Sequence, residues 1–319
     1  MSFAVQLQSN FSAELPYEEF LERAIAFTLC TIPACVFLFV NCTMLFTLRS
    51  KAMFCVTCRY ILLFNLLFAD TVHLVLCQVL FLLSACGIRL TYPVCGTLTI
   101  LANFTNVAAP LTLMVMSLER YVAVCFALRH ATIVTIRNTR LAVAAVWTIC
   151  SLHDTLRVIL VLDFPFEDLE SLQMNDVCSD LTMWLGSRSK TYDNAFTGLL
   201  FVSAAAVIIL SYTGVIIAAR SASTGKASAL KARKTLMLHL VQLCLILSAT
   251  IYSPMLLALR KIVTHVVFSR LHRFLYVLMI LFPRCLSSLI YGLRDQAIRP
   301  LLLGHLCCRL KRKTAAVSG

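Results

Sequence analysis

Charge is scarce in this chain: 13% of its 319 residues are Asp, Glu, Lys or Arg, against 60% that are hydrophobic, and the mean hydropathy is +0.86. A soluble domain carries roughly a quarter charged residues, so this composition cannot present a water-compatible surface around an ordinary core. It describes a membrane protein. Several other things are missing. No internal repeat, low-complexity tract or separate soluble domain interrupts the sequence, and no inverted repeat or pair of broken helices points to a transporter. The scattered His and acidic residues form no metal-ligand or triad-like spacing, so no enzyme, metal or cofactor is expected. Met1–Glu22 has no basic region ahead of an apolar one, the mark of a cleavable signal peptide; the first span is expected to act as its own insertion signal.

What is present is a series of apolar runs at Ala24–Leu48, Tyr60–Cys86, Val94–Cys125, Leu141–Leu162, Asn194–Ala219, Leu236–Leu259 and Phe274–Tyr291. Each is near or above the roughly 20 residues a helix needs to cross hydrocarbon. The expectation is an all-α membrane protein: a seven-transmembrane helix bundle over residues 24–293, after an extracellular tail of residues 1–23 and before a cytoplasmic helix and tail of residues 294–319. An odd number of spans puts the termini on opposite sides, and basic residues decide which is which. Arg49, Lys51 and Arg59 follow span one, Arg129, Arg137 and Arg140 span three, and Arg220, Lys226, Lys231, Arg233 and Lys234 span five. Arg294, Arg299, Arg309, Lys311, Arg312 and Lys313 follow span seven, and the one acid in these segments is Asp295. The opposite side carries Glu14, Glu18, Glu19, Glu22, Asp163, Glu167, Asp168, Glu170, Asp176, Asp180 and Asp193. This charge balance places the C-terminus in the cytoplasm. It also accounts for the net charge of +13, carried by loops facing anionic lipid, without a nucleic-acid partner.

Most of the 15 cysteines lie within spans, where a thiol behaves as a small apolar group. Cys95 and Cys178 lie on the outer, oxidising side, where a bridge between them, two free thiols, or competition from Cys86 are all open. Asn10-Phe11-Ser12 is a glycosylation acceptor in the outer tail, whereas Asn41-Cys42-Thr43 and Asn103-Phe104-Thr105 match the same pattern inside spans. Cys307-Cys308, beside a basic cluster, are candidates for palmitate that would pin an amphipathic eighth helix at about Asp295–Leu306 to the inner leaflet; unmodified thiols are the alternative.

Charges inside spans are expensive and so mark function. Glu119-Arg120-Tyr121 ends span three, Asn41 stands in span one, Asp70 follows Asn65-Leu66-Leu67-Phe68-Ala69 in span two, and Trp147 sits in span four. Together, in this order and topology, these landmarks resemble the rhodopsin-like G-protein-coupled receptors over nearly the whole chain. Met116-Ser117-Leu118-Glu119-Arg120-Tyr121-Val122-Ala123-Val124-Cys125, Lys231-Ala232-Arg233-Lys234-Thr235 with His239-Leu240, and Leu289-Ile290-Tyr291-Gly292-Leu293-Arg294-Asp295 are most similar to the fish odorant-receptor-like branch. The chain departs from that pattern with Glu before the Arg, fewer cysteines in the second outer loop, and Ser287-Ser288 in place of Asn-Pro. The resemblance implies a chemoreceptor that binds a small odorant and activates a heterotrimeric G protein. Its alternatives are a non-olfactory receptor of the same class for a peptide or lipid, and a multi-pass transporter. It also implies a Cys95–Cys178 disulfide and a switch made of Glu119, Arg120, Tyr121, Tyr212 and Tyr291, in which Arg120 is held by its acidic neighbour at rest.

Asp70 and Arg284 lie at similar depth, roughly 15 Å into their spans. In many relatives the acid matching Asp70 helps hold sodium, but here Ala109 stands where a hydroxyl is expected, so Arg284 is expected to pair with Asp70 in its place. Separate satisfaction by water or carbonyls is the alternative. Asn103 and Asn106 share a face of span three and either orient a ligand or bond neighbouring helices. Tyr252, before Pro254, resembles the family's ligand-sensing aromatic, and Tyr276 is expected on the pocket wall. With Ala102 where amine receptors carry an acid, a cationic amine is not expected. Asp154 and Arg157 are spaced to neutralise each other, unless Arg157 faces the pocket. The basic third outer loop, with Arg260, Lys261, His265, Arg270, His272 and Arg273, is expected to face the acidic second loop rather than an anionic ligand.

Overall fold

The computed structural model describes residues 2–163, 172–174, 178–179, 181–183, 186–221, 237, 241, 244–245, 248–249 and 251–305. Five long helices come first: α1 (Ser2–Arg49), α2 (Cys58–Ala85), α3 (Tyr92–Cys125), α4 (Ile136–Leu162) and α5 (Gly186–Ser221). The shorter α6 (Tyr252–Arg260) follows, and α7 runs as α-helical His265–Leu275, π-helical Tyr276–Leu281 and α-helical Phe282–Arg294. Among the described residues there are 6 stretches long and apolar enough to cross a membrane: Phe27–Arg49, Cys58–Ala85, Tyr92–Cys125, Ile136–Leu162, Gly186–Ala218 and Arg270–Gly292. They correspond to the first five and the last of the expected spans. Most of the expected sixth, Leu236–Leu259, lies outside the described residues, as do Lys231–Thr235, His239-Leu240, Cys307, Cys308 and the side chain of Asn10.

Caps set the ends of two of these helices. α4 starts at Ile136 rather than Leu141: the Thr135 hydroxyl accepts the Asn138 backbone N–H at 3.1 Å, and the Asn138 side chain donates to the Ile133 carbonyl at 2.8 Å. α2 ends in a Schellman motif, with the Ile88 N–H on the Leu83 carbonyl at 3.0 Å and the Gly87 N–H on that of Ser84 at 3.1 Å. Gly87 takes φ of 67°, which a side chain would strain. The chain then meets the loop after α4. The Tyr92 N–H bonds to the Leu172 carbonyl and the Met174 N–H to that of Leu90, each at 3.0 Å, and Cys95 is disulfide-bonded to Cys178 with Cα atoms 5.6 Å apart. Cys86 is a free, exposed thiol.

Packing radiates from α3, which touches α2, α4 and α5, while α1 lies against α2 and α7. At the end opposite the disulfide, Met44, Leu63, Leu66, Leu113, Met116, Tyr291, Ile298 and Leu302 form the main apolar core. Large apolar side chains such as Leu162, Leu199, Leu210, Ile217 and Phe274 are exposed on the outside. An apolar exterior over this length is a lipid-facing surface. Two prolines shape the interior. Pro110 within α3 lacks the N–H that the Asn106 carbonyl would accept, and Pro283 crowds the carbonyl of Met279 just where α7 widens into its π-helical segment. Asn106 and Arg284 beside these breaks belong to the site below.

Candidate functional site

Midway along the bundle a buried ion pair joins three helices. Arg284 of α7 donates from Nη1 to Asp70 Oδ1 of α2 at 2.6 Å and from Nη2 to Asn106 Oδ1 of α3; Arg284 and Asp70 are both fully buried. Desolvating two charges costs several kcal/mol each, so the attraction offsets that cost only with good geometry and further hydrogen bonds, which Asn106 helps to supply. The arrangement does not suit a sodium ion: a guanidinium already lies on Asp70, and Ala109 offers no side-chain oxygen. One turn along α2, His73 bonds through Nδ1 to the Ala102 carbonyl at 2.9 Å and through Nε2 to Cys77 Sγ at 3.3 Å. Toward the other end, Asn65 donates to Thr112 at 2.9 Å and accepts from Trp147 Nε1 at 2.8 Å, tying α2, α3 and α4 together. Asn41 is buried in α1, but among the described residues neither atom of its amide has a hydrogen-bond partner, so it does not join Asp70 and Arg284.

Between this pair and the disulfide lies a cavity of about 260 Å³. Asn103, Asn106, Tyr252 and Tyr276 all line it, with Cys178 also part of its wall. The two asparagines also bond between helices: Asn103 Nδ2 donates to Asp154 Oδ1 at 3.1 Å, and Asn106 accepts from Arg284. Behind the cavity, Arg157 Nε of α4 pairs with Asp193 Oδ1 of α5 at 3.2 Å. The His153 ring lies on that of Phe196 at 3.7 Å, and its Nδ1 meets the Tyr192 hydroxyl at 3.0 Å. The sequence expectation set Arg157 beside Asp154 or facing the pocket; it did not name Asp193, because partners on separate helices leave no spacing signal. Of the basic residues expected to face the second loop, His272 and Arg273 line the cavity, alongside Cys178 and Ser179 of that loop; the loop's acidic residues from Glu167 to Asp180 lie outside the described residues.

At the far end of α3, Arg120 Nε lies 3.2 Å from Glu119 Oε2, and His130 Nε2 is 4.0 Å from Glu119 Oε1. Tyr121 lies so close to α5 that a Cβ on Gly214 would overlap its ring. Tyr212 of α5 donates its hydroxyl to Met237 Sδ at 3.5 Å, and Tyr291 is buried in the apolar core. Asp295 is also buried here. It pairs with Arg59 Nη2 at 3.2 Å, accepts from the Tyr60 hydroxyl at 3.2 Å and from the Ala297 N–H at 2.9 Å, and its carbonyl accepts from Arg299. Residues 299–305 then turn helical, and His305 Nδ1 meets the Thr47 hydroxyl at 2.9 Å. The sequence marked Asp295 as the lone acid among basic segments and as the end of the motif closing span seven; its role in docking the segment after α7 was not read.

A receptor's parts are thus present: a small cavity at one end, a buried ion pair beneath it, and an Arg-acid pair at the other end. The family model for the seven-transmembrane receptor (rhodopsin family) matches residues 41–290, so the chain belongs to that family and is a receptor, not an enzyme. Among its members the chain is similar to odorant receptor 131-2 of Danio rerio, at 31% identity over 296 residues, or 86% of this chain and 83% of that protein. It is also 30% identical over 211 residues to olfactory receptor 52N5 of Homo sapiens, covering 62% of this chain and 60% of that one. Olfactory receptor 4K1 of Homo sapiens is 26% identical over 195 residues, 59% of this chain and 58% of that protein. The resemblance to the fish odorant-receptor-like branch is thereby borne out.

Proposed function

We propose that this chain is an odorant-type chemoreceptor that binds a small molecule in the cavity and activates a heterotrimeric G protein at the opposite end. The observation that carries this reading is the double engagement of Asn106, which lines the cavity and accepts a hydrogen bond from Arg284. α7 strengthens the link, because Tyr276 lines the cavity two turns from Arg284, across the π-helical segment. A ligand that shifts Tyr276 or Asn106 changes the environment of the buried pair, and the bundle responds as a two-state element.

Asn103, Asn106, Tyr252 and Tyr276 are the ligand contacts in this reading, and Glu119, Arg120, Tyr121, Tyr212 and Tyr291 form the switch. Asn41, Asp70 and Arg284 form its polar core. The bundle has seven spans over residues 24–293, the sixth completed by residues 236–259. Residues 1–23 are extracellular and carry sugar on Asn10; residues 294–319 are cytoplasmic and contain the amphipathic eighth helix. Cys307 and Cys308 take palmitate, which with the basic cluster anchors that helix to plasma-membrane lipid. The positive charge of the connecting segments supports this orientation. The test is guanine-nucleotide exchange by the full-length receptor, reconstituted with G protein and challenged with an odorant panel. A ligand-dependent rise is expected, and Arg120→Ala abolishes it while surface expression persists. Full exchange by Arg120→Ala, or ion flux without G protein, overturns the reading.

A further inference from the structure

His73 and Cys77 stand one turn apart on α2, and both line the cavity. The Ala102 carbonyl, 2.9 Å from His73 Nδ1, can only accept, so Nδ1 carries the ring proton. In a neutral imidazole Nε2 is then bare, and it accepts from the Cys77 S–H at 3.3 Å. A thiol held against a basic nitrogen, with the ring's tautomer fixed from behind, is the arrangement of an activated nucleophile. Access separates a reactive thiol from an inert one. Cys77 is half-buried and lines the cavity, whereas Cys150 is fully buried in the apolar cluster around Trp147.

The same cavity offers hydrogen-bond donors for an oxygen. Tyr252 of α6 and Tyr276 of α7 hold their hydroxyl oxygens away from solvent, and neither meets a hydrogen-bond partner among the described residues. Such hydroxyls are uncommon, because desolvation is costly. Both phenols interact electrostatically with Cys77 and with Cys30 of α1, a second cavity thiol, so hydroxyls and thiols converge on one part of the wall. Both rings are held in place before any ligand arrives. Tyr252 stacks on His272 with centroids 6.1 Å apart, and Tyr276 stacks on Phe81 at 5.9 Å with planes 14° apart. Orienting donors in advance lowers the entropy cost of binding. Leu80, Phe81 and Ile280 supply apolar wall, and about 260 Å³ admits only a small molecule.

We propose that the cavity takes a small aliphatic aldehyde and holds it as a reversible hemithioacetal of Cys77, with His73 as the base and Tyr252 and Tyr276 donating to the carbonyl oxygen. The Cys77 proton passes to His73 Nε2 as the sulfur electron pair forms a bond to the carbonyl carbon. The π pair of the C=O bond moves onto oxygen, where the phenol hydroxyls meet the developing charge, and the proton leaves the imidazolium to end on that oxygen. The reverse step restores aldehyde and thiol, so no oxidant, reductant or second reactant is consumed. A ketone carbon is more hindered and less electrophilic, and an alcohol has no carbon for the thiol to attack. This rests on the receptor reading above and names the ligand class of the same cavity. His73 is also one turn from Asp70, so addition at Cys77 takes place beside the buried ion pair.

The probes are straight-chain aldehydes from butanal to octanal, each matched by the methyl ketone and alkanol of equal carbon number. They are applied to the full-length receptor with three readouts: nucleotide exchange on G protein, thermal shift of the purified receptor, and the resonance of an aldehyde isotope-labelled at its carbonyl carbon. At least one aldehyde is expected to act about tenfold or more below the concentration of its ketone, and its bound resonance to move from the carbonyl region to that of a tetrahedral carbon bonded to oxygen and sulfur. Cys77→Ala and Cys77→Ser abolish that resonance and bring the ratio toward one, whereas Cys30→Ala keeps both. His73→Asn, which retains a donor for the Ala102 carbonyl but removes Nε2, slows adduct formation roughly tenfold or more. Three results overturn the assignment: no tetrahedral resonance at aldehyde concentrations that shift the melting temperature, a resonance that survives in Cys77→Ala, or silence toward every aldehyde while another odorant drives exchange. The receptor reading survives all three. A Cys77-dependent adduct that raises the melting temperature without any exchange supports the ligand class and counts against the G-protein reading.

Discussion

At the residue scale, Asp70 and Arg284 show how a costly pair becomes informative. Removing one partner leaves an uncompensated buried charge, which typically costs about 3–5 kcal/mol, whereas removing both is far milder. Asp70→Ala and Arg284→Ala are each expected to lower receptor yield and melting temperature sharply, and the double variant to recover a substantial part of both. Additive losses in a double-mutant cycle would show that the two side chains are not coupled. Their equal depth was readable from the sequence, since position along a helix follows from residue count. The participation of Asn106 was not readable, nor was the knot of Asn65, Thr112 and Trp147, because each depends on how three helices rotate against one another. Asn41 is the reverse case: recognisable as a landmark in sequence, yet its buried amide has no hydrogen-bond partner among the described residues.

At the element scale, close approach and widening matter more than composition. α3 and α5 meet through Tyr121 against Gly214, a contact that tolerates no side chain on the glycine. Gly214→Leu is expected to displace Tyr121, lower the melting temperature in line with an overpacking cost of about 1–3 kcal/mol, and reduce ligand-stimulated exchange. Unchanged stability and exchange would show that the contact is dispensable. The π-helical segment of α7 lies between Tyr276 and Arg284, so a change at the cavity reaches the ion pair through the least regular part of that helix. The proline beside it was plain in the sequence, but its effect was not, because a proline in a span can kink, widen or end a helix according to what packs around it.

At the scale of the whole molecule, the placement of Arg284 bears on ion sensitivity. Agonist affinity measured in sodium chloride is expected to match that in choline chloride within about twofold, since a guanidinium on Asp70 leaves no site for a second cation. A marked sodium-dependent loss of affinity would mean that the ion competes with Arg284. Orientation is tested separately: an epitope at the N-terminus should be labelled on intact cells, and one at the C-terminus only after permeabilisation. Reversed labelling would overturn the topology read from the basic segments. These segments also mark a limit of sequence reasoning. The same charge rule that orients the bundle treated Arg273 and His272 as loop residues, yet both line the cavity.

The sequence by itself determined the membrane class, the location of the apolar spans and the receptor family, because hydropathy, charge asymmetry and short motifs are local properties that survive without coordinates. Through the family resemblance it also pointed to the two cysteines of the disulfide. Only the tertiary structure decided which polar groups meet: Arg284 with Asp70 and Asn106, Arg157 with Asp193, Asp295 with Arg59 and Tyr60. It also decided that, among the described residues, the phenol oxygens of Tyr252 and Tyr276 meet no hydrogen-bond partner. The physical reason is that a hydrogen bond or ion pair between helices is fixed by their relative rotation and depth to within an ångström. The hydrophobic pattern constrains that rotation only to a face.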